Sequence, residues 1–114
     1  MAFERFAVVR VPFPFTDRNA TKNRPALVLS DAAAFNTPAG HSVMAMITSP
    51  GHTRWPLDCP LGDLAVAGLP APSMVRFKLF TLDHRLVRGE LGQLSPIDAA
   101  AVRAGLTQLL EGTR

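Results

Sequence analysis

Val8 to Ser30 reads V-V-R-V-P-F-P-F-T-D-R-N-A-T-K-N-R-P-A-L-V-L-S, and the fold turns on how this stretch is read. Val8, Val9 and Val11 are a β-branched run, which marks a first strand. Pro12 and Pro14 remove two backbone donors, so a central strand cannot continue through them. Thr16 to Asn23 has no apolar period and carries Asp17, Arg18, Asn19, Lys22 and Asn23, the composition of a polar loop. Ala26 to Leu29 is continuously apolar, the pattern of a strand covered on both faces. Arg24 stands between loop and strand. Pro25 biases it towards an extended backbone, which fixes a guanidinium at the mouth of a rigid strand, a good position for holding a phosphate.

Further strands follow on the C-terminal side. Asp31 to Gly40 is a connection broken by Asn36, Pro38 and Gly40. Ser42 to Thr48 alternates, with Val43, Ala45 and Ile47 on one face and Met44, Met46 and Thr48 on the other. Pro50 and Gly51 stop it, so Thr48 falls at a strand end. His52 to Pro56 reads as a polar loop and Leu57 to Leu61 as a short edge strand between prolines. Asp63 to Pro72 reads as a Gly- and Pro-rich loop. Ser73 to Leu82 places Val75, Phe77 and Leu79 on one face and Met74, Arg76, Lys78 and Phe80 on the other. Asp83 and His84 make a turn, and Leu86 to Leu94 is a last strand that Gly89 and Gly92 bend or bulge. Ser95 caps a helix with Pro96 in its first position and Asp98 reaching back as in a capping box. Val102, Leu106, Leu109 and Leu110 follow helical spacing and define its buried face.

Composition sets the outer bounds. At 114 residues the chain reads as one domain, residues 1–114, with one modest core. Ten prolines and eight glycines favour short elements with tight connections over long helices. No apolar run approaches the ~20 residues of a membrane span, and the N-terminus lacks a signal-peptide pattern, so a cytoplasmic protein without membrane attachment is expected. A single cysteine, Cys59, excludes an internal disulfide and a cysteine metal cluster. The pI near 10.0 and formal charge of +3 permit a polyanionic partner. His41, His52 and His84 are isolated, without metal-ligand spacing, and each reads as a surface histidine. No Gly-rich phosphate loop, nucleophile elbow or paired acidic metal site appears, so no metal and no cofactor is expected.

The opening V-P-F-P-F-T-D, a short basic loop and R-P-A-L-V-L-S resemble the start of the MazF/PemK-like toxins, small bacterial ribonucleases of type II toxin–antitoxin systems. The resemblance continues, in order, through M-A-M-I-T-S (Met44 to Ser49), G-L-P-A-P-S-M-V-R (Gly68 to Arg76) and L-G-Q-L-S-P (Leu91 to Pro96). It implies a mainly β fold with a C-terminal helix, a small SH3-like barrel of the CcdB/PemK kind, usually a homodimer. It also implies a sequence-selective endoribonuclease that cuts single-stranded RNA, and a cognate antitoxin protein with which it binds DNA. Two departures stand out. Such toxins usually carry Gly-Asp just before the first strand, where this chain has Phe6 and Ala7. Members resembling PemK carry a catalytic Arg-x-Asp where this chain reads Arg76-Phe77-Lys78, so a general acid or base at that position cannot be carried over.

The resemblance makes Arg24 the catalytic arginine of the R-P motif, binding the scissile phosphate. Its plain alternative is a surface arginine paired with Asp17 or Asp31. Thr48, in the I-T-S match, would bond the phosphate or the attacking 2′-oxygen; otherwise it is a β-branched residue at a strand end. Arg18, Lys22, Ser49, His52, Arg54, Arg76 and Lys78 are the expected RNA contacts, although Arg76 and Lys78 also fit a solvated basic edge. Trp55 has two readings, a platform for an unpaired base or part of the core. Two other functions stay open on the same fold: a gyrase poison resembling CcdB that acts by binding protein, and an RNA-binding regulatory module.

Overall fold

The computed structural model describes residues 3–12, 22–51 and 54–112. Six antiparallel strands form one sheet in the order β4-β5-β3-β2-β1-β6. The strands are β1 (Ala7–Pro12), β2 (Asn23–Val28), β3 (His41–Thr48), β4 (Cys59–Pro60), β5 (Met74–Asp83) and β6 (Glu90–Gln93). The twisted sheet curls into a half-barrel, and helix α3 (Pro96–Glu111) lies against one face.

Alternation along the strands builds two cores, one on each face. Val8, Leu27, Ala45, Ile47, Val75 and Phe77 pack with Ala99 and Val102 of α3. On the opposite face Val9, Val11, Ala26, Val28, Met44 and Leu82 form the second cluster. Ala26 to Leu29 is therefore buried throughout, as its unbroken apolar run requires.

Two segments read as loops carry helical turns. Ala32–Asn36 is a wide π-type turn that runs into a single helical turn, α1 (Thr37–Ala39), with Asp31 accepting from the Ala34 N–H at its start. The second is α2 (Leu64–Ala67), started by Asp63, which accepts from the Val66 N–H. Such short helices leave no apolar period in the sequence. Gly68 ends α2 at φ +73°, and a Cβ there would stand 2.0 Å from the Leu91 carbonyl oxygen. A Cβ on Gly92 would meet the Val66 oxygen at 2.4 Å. These two glycines let α2 lie directly on β6, so the G-L-P-A-P-S-M-V-R and L-G-Q-L-S-P stretches meet in space.

The last strand is shorter than its apolar pattern suggests. His84–Leu86 is a 3-10 turn, and the strand proper is Glu90–Gln93, which pairs with β1 with a register shift at Val8/Val9; Arg88 and Gly89 just before it still exchange backbone hydrogen bonds with Arg10. In α3, Ser95 accepts from the Asp98 N–H as an N-cap. Asp98 itself does not reach back. Its carboxylate is 5% exposed and accepts from the N–H groups of Gly62 (3.0 and 3.1 Å) and Asp63 (3.0 Å). The buried face of α3 is Ala99, Val102 and part of Leu106, while Leu109 and Leu110 are 40% and 70% exposed. The helical period thus continues into residues that the described structure leaves exposed.

Candidate functional site

Arg24, Thr48 and Arg76 fall on one face of three neighbouring strands. The pairs Ala26↔Met46 and Met46↔Arg76 set Ala26, Met46 and Arg76 in one row across β2, β3 and β5. Thr48 pairs with Met74, and the β2–β3 count carried two residues beyond Ala26↔Met46 sets Arg24 across from Thr48. Directly opposite residues share a sheet face, so these rows continue the face whose other end holds the second core. Pro25 stands where pairing of β2 with β3 stops, which fits a residue with no N–H to give. Between Met44↔Phe80 and Met46↔Arg76, four residues of β5 span two of β3. Lys78 lies within this irregularity, and bulges are frequent beside functional sites.

Arg24 is exposed. Among the described residues it has no ion-pair partner, and Asp31, one proposed partner, is engaged as the cap of Ala34. Thr48 is half-buried; Lys22, Ser49, Arg54 and Lys78 are exposed. Arg18 and His52, with most of the Thr16 to Asn23 loop, lie outside the described residues.

Arg76 is 8% exposed, so it is no solvated edge. Its Nε and Nη2 donate to the two carboxylate oxygens of Asp58 at 3.2 and 2.9 Å. That hydrogen-bonded carboxylate raises the Arg76 pKa against the opposing effect of burial. Asp58 is the residue that sequence reasoning missed. It lies 18 positions from Arg76 and on another element, so neither spacing nor periodicity connects them. Trp55 is 40% exposed and outside both cores. Its ring lies 4.6 Å from the Lys78 ammonium and 5.9 Å from the Arg76 guanidinium carbon.

His41 and His84 sit at the opposite end of β3 and β5, where His41 pairs with Asp83. Seven strand steps separate His41 from Thr48, roughly 23 Å, too far for proton transfer there. His84 Nε2 is 2.7 Å from the buried Ser42 hydroxyl. Burial pushes its pKa below the ordinary 6.5. His41, Asp83 and His84 border a cleft of about 420 Å³ with Asn36, Gly40 and Arg85. Among the described residues no three of His, Cys, Asp and Glu converge as metal ligands, and no helix is long and apolar enough to cross a membrane.

The fold and site thus define a small antiparallel half-barrel with Arg24, Thr48 and Arg76 at one end of one sheet face. The family model described as PemK-like, MazF-like toxin of type II toxin–antitoxin systems matches residues 4–110. This chain belongs to that toxin family. Among solved structures it is similar to a MazE–MazF complex from Deinococcus radiodurans, with 26% identity, TM-score 0.73 and 99% of each chain covered. It is also similar in fold to an endoribonuclease in complex with its cognate antitoxin from a mycobacterial species (19% identity, TM-score 0.77, 99% of each chain). A third is the Mycobacterium tuberculosis toxin MazF-mt6, with 19% identity, TM-score 0.71, and 95% of this chain and 99% of that one covered. No curated protein matches the sequence.

Proposed function

We propose that this protein is a metal-independent, sequence-selective endoribonuclease that cleaves single-stranded RNA, with Arg24 and Thr48 at its centre. The observation that carries the reading is their placement across adjacent strands on one face, with Arg24 exposed and unpaired among the described residues. RNA brings its own nucleophile, the 2′-hydroxyl. The protein has to align that oxygen with the phosphorus, stabilise the equatorial oxygens and manage two protons. Arg24 supplies the charge and Thr48 the positioning hydrogen bond. Lys22, Arg54 and Lys78 are exposed and follow the backbone, and Arg18, Ser49, His52 and Arg76 complete the proposed RNA surface.

The 2′-oxygen bonds to phosphorus as the bond to the 5′-oxygen of the next nucleotide breaks. The products are a 2′,3′-cyclic phosphate and a 5′-hydroxyl. The assembly that fits this reading is a two-fold dimer with an antitoxin as partner. The MazE–MazF complex from Deinococcus radiodurans supports the partner. A cytoplasmic site of action accords with an RNA substrate.

Incubation of the purified protein with RNA, beside Arg24→Ala and Thr48→Ala, tests the assignment. Loss of a preorganised charge donor costs ~10²–10³ in rate, so Arg24→Ala should lose most activity with its fold intact, because Arg24 is exposed and leaves no cavity. Thr48→Ala should slow cleavage with a smaller effect on RNA affinity. Full activity in both variants would refute the site.

A further inference from the structure

The turn from Trp55 to Asp58 is built to hold one aromatic ring still over two cations. The Asp58 N–H donates to the Trp55 carbonyl at 3.3 Å, and the Trp55 N–H donates to Asp58 Oδ2 at 3.2 Å. Pro56 occupies the second position of this turn. Leu57 occupies the third at φ +66°, the type II pattern that ordinarily calls for glycine. A leucine there costs about 1–2 kcal/mol, so its surroundings must over-determine it. They do: Leu57 packs on the α3-side core, Cys59 pairs with Val75, and Asp58 is clamped on Arg76 at 2.9 Å. Backbone strain held in this way clusters at functional sites.

We propose that Trp55 is a stacking platform for one unpaired nucleobase of the RNA, and that Asp58 is the positioning residue that locks it. This rests on the ribonuclease reading and adds a subsite to it. The ring is 40% exposed, so a flat base can lie against it. Exposed Lys78, 4.6 Å from the ring centre, places positive charge where the nucleotide's phosphate would follow, while Arg76, 5.9 Å from the ring and paired with Asp58, ties the ring to the turn. Arg76 is also in the row next to Arg24 and Thr48, so a base on Trp55 belongs to the strand whose backbone reaches the proposed centre. An acidic peptide would find the same charge, but an exposed ring on a rigid, strained turn matches the π-face of a base.

The chain has one tryptophan and no tyrosine, so intrinsic fluorescence reports on Trp55 alone. The probe is a mixed-sequence pool of short 2′-fluoro single-stranded RNA, which lacks the nucleophile and cannot be consumed. Binding is measured in parallel by anisotropy of end-labelled pool. Saturable quenching of Trp55 is expected. Trp55→Ala should weaken binding about 5- to 150-fold, the span of one base–aromatic stack, and Trp55→Phe should restore most of it. Asp58→Asn should weaken binding and also raise the access of a collisional quencher to Trp55 in the unliganded protein. A loss of binding without that rise would overturn the positioning role. Arg24→Ala should lose cleavage yet keep the quench at saturation. RNA bound with unchanged fluorescence, or Trp55→Ala binding as tightly as the parent, would overturn the platform and leave the ribonuclease reading standing. A pool that does not bind at all would overturn both. Quenching by an acidic peptide but not by RNA would overturn the platform in favour of protein docking.

Discussion

Phe6→Gly sets two opposed effects against each other at one residue. Phe6 occupies φ +69°, a left-handed conformation that costs a non-glycine residue about 1–2 kcal/mol. It stands where the resembling toxins usually have glycine. Its ring is nevertheless 5% exposed within the α3-side core. The Arg5 and Arg103 guanidinium carbons lie 4.7 and 5.0 Å from the ring centre. Truncating a buried phenylalanine costs about 3–5 kcal/mol, and glycine adds about 0.5–1 kcal/mol of unfolded-state entropy. Packing therefore outweighs strain, and Phe6→Gly should lose about 2–4 kcal/mol in total. Phe6→Ala loses the ring and keeps the strain, so it should fall below Phe6→Gly by a further ~1 kcal/mol, the reverse of the usual order of these residues. Equilibrium unfolding in urea of the three proteins measures all of this. A glycine variant as stable as the parent, or an alanine variant more stable than the glycine one, would refute the reasoning.

Four further outcomes are expected. Asp98→Ala should cost about 2–4 kcal/mol, because the N–H groups of Gly62 and Asp63 lose an ionised acceptor; an unchanged urea midpoint would show that water replaces it at no cost. Burial holds His84 below its ordinary pKa of 6.5, so the unfolded chain takes up a proton first. The stability that His84 contributes is present above pH 6.5 and is lost as the pH falls from there through the lower folded value. His84→Gln should flatten that part of the stability–pH curve, and a slope equal to the parent's would exclude His84 as its source. The proposed dimer should sediment as such at micromolar concentration, and an antitoxin segment of acidic and apolar character should compete with RNA; monomer alone, or simultaneous binding of both, would contradict these two expectations.

The strands were legible from a β-branched run, an unbroken apolar run and an alternating stretch. Val8 to Val11, Ala26 to Val28 and Val43 to Ile47 lie in the expected strands, which feed the two cores. Arg24 and Thr48 were legible as strand-end residues beside Pro25 and Pro50, and the register places them on one face. What stayed hidden is long-range. The Asp58–Arg76 pair depends on a turn folding back onto a strand, and neither residue carries a local sign of it. Asp98 has the spacing of its own helix's capping acid, while the fold brings Gly62 and Asp63 to it. Leu109 and Leu110 keep helical spacing but stay exposed, so the period persists where the burial does not.

The chemistry of the cut ends distinguishes attack by the 2′-oxygen from attack by water. Single-stranded RNA is incubated with the purified protein in excess chelator, and the products are analysed by mass and by end-labelling. Attack by the 2′-oxygen at Arg24 and Thr48 predicts a 2′,3′-cyclic phosphate and a 5′-hydroxyl. It also predicts no cleavage of a substrate carrying a 2′-deoxy sugar at the cut position. A 5′-phosphate end, activity that disappears with the chelator, or cutting of the deoxy substrate would contradict it.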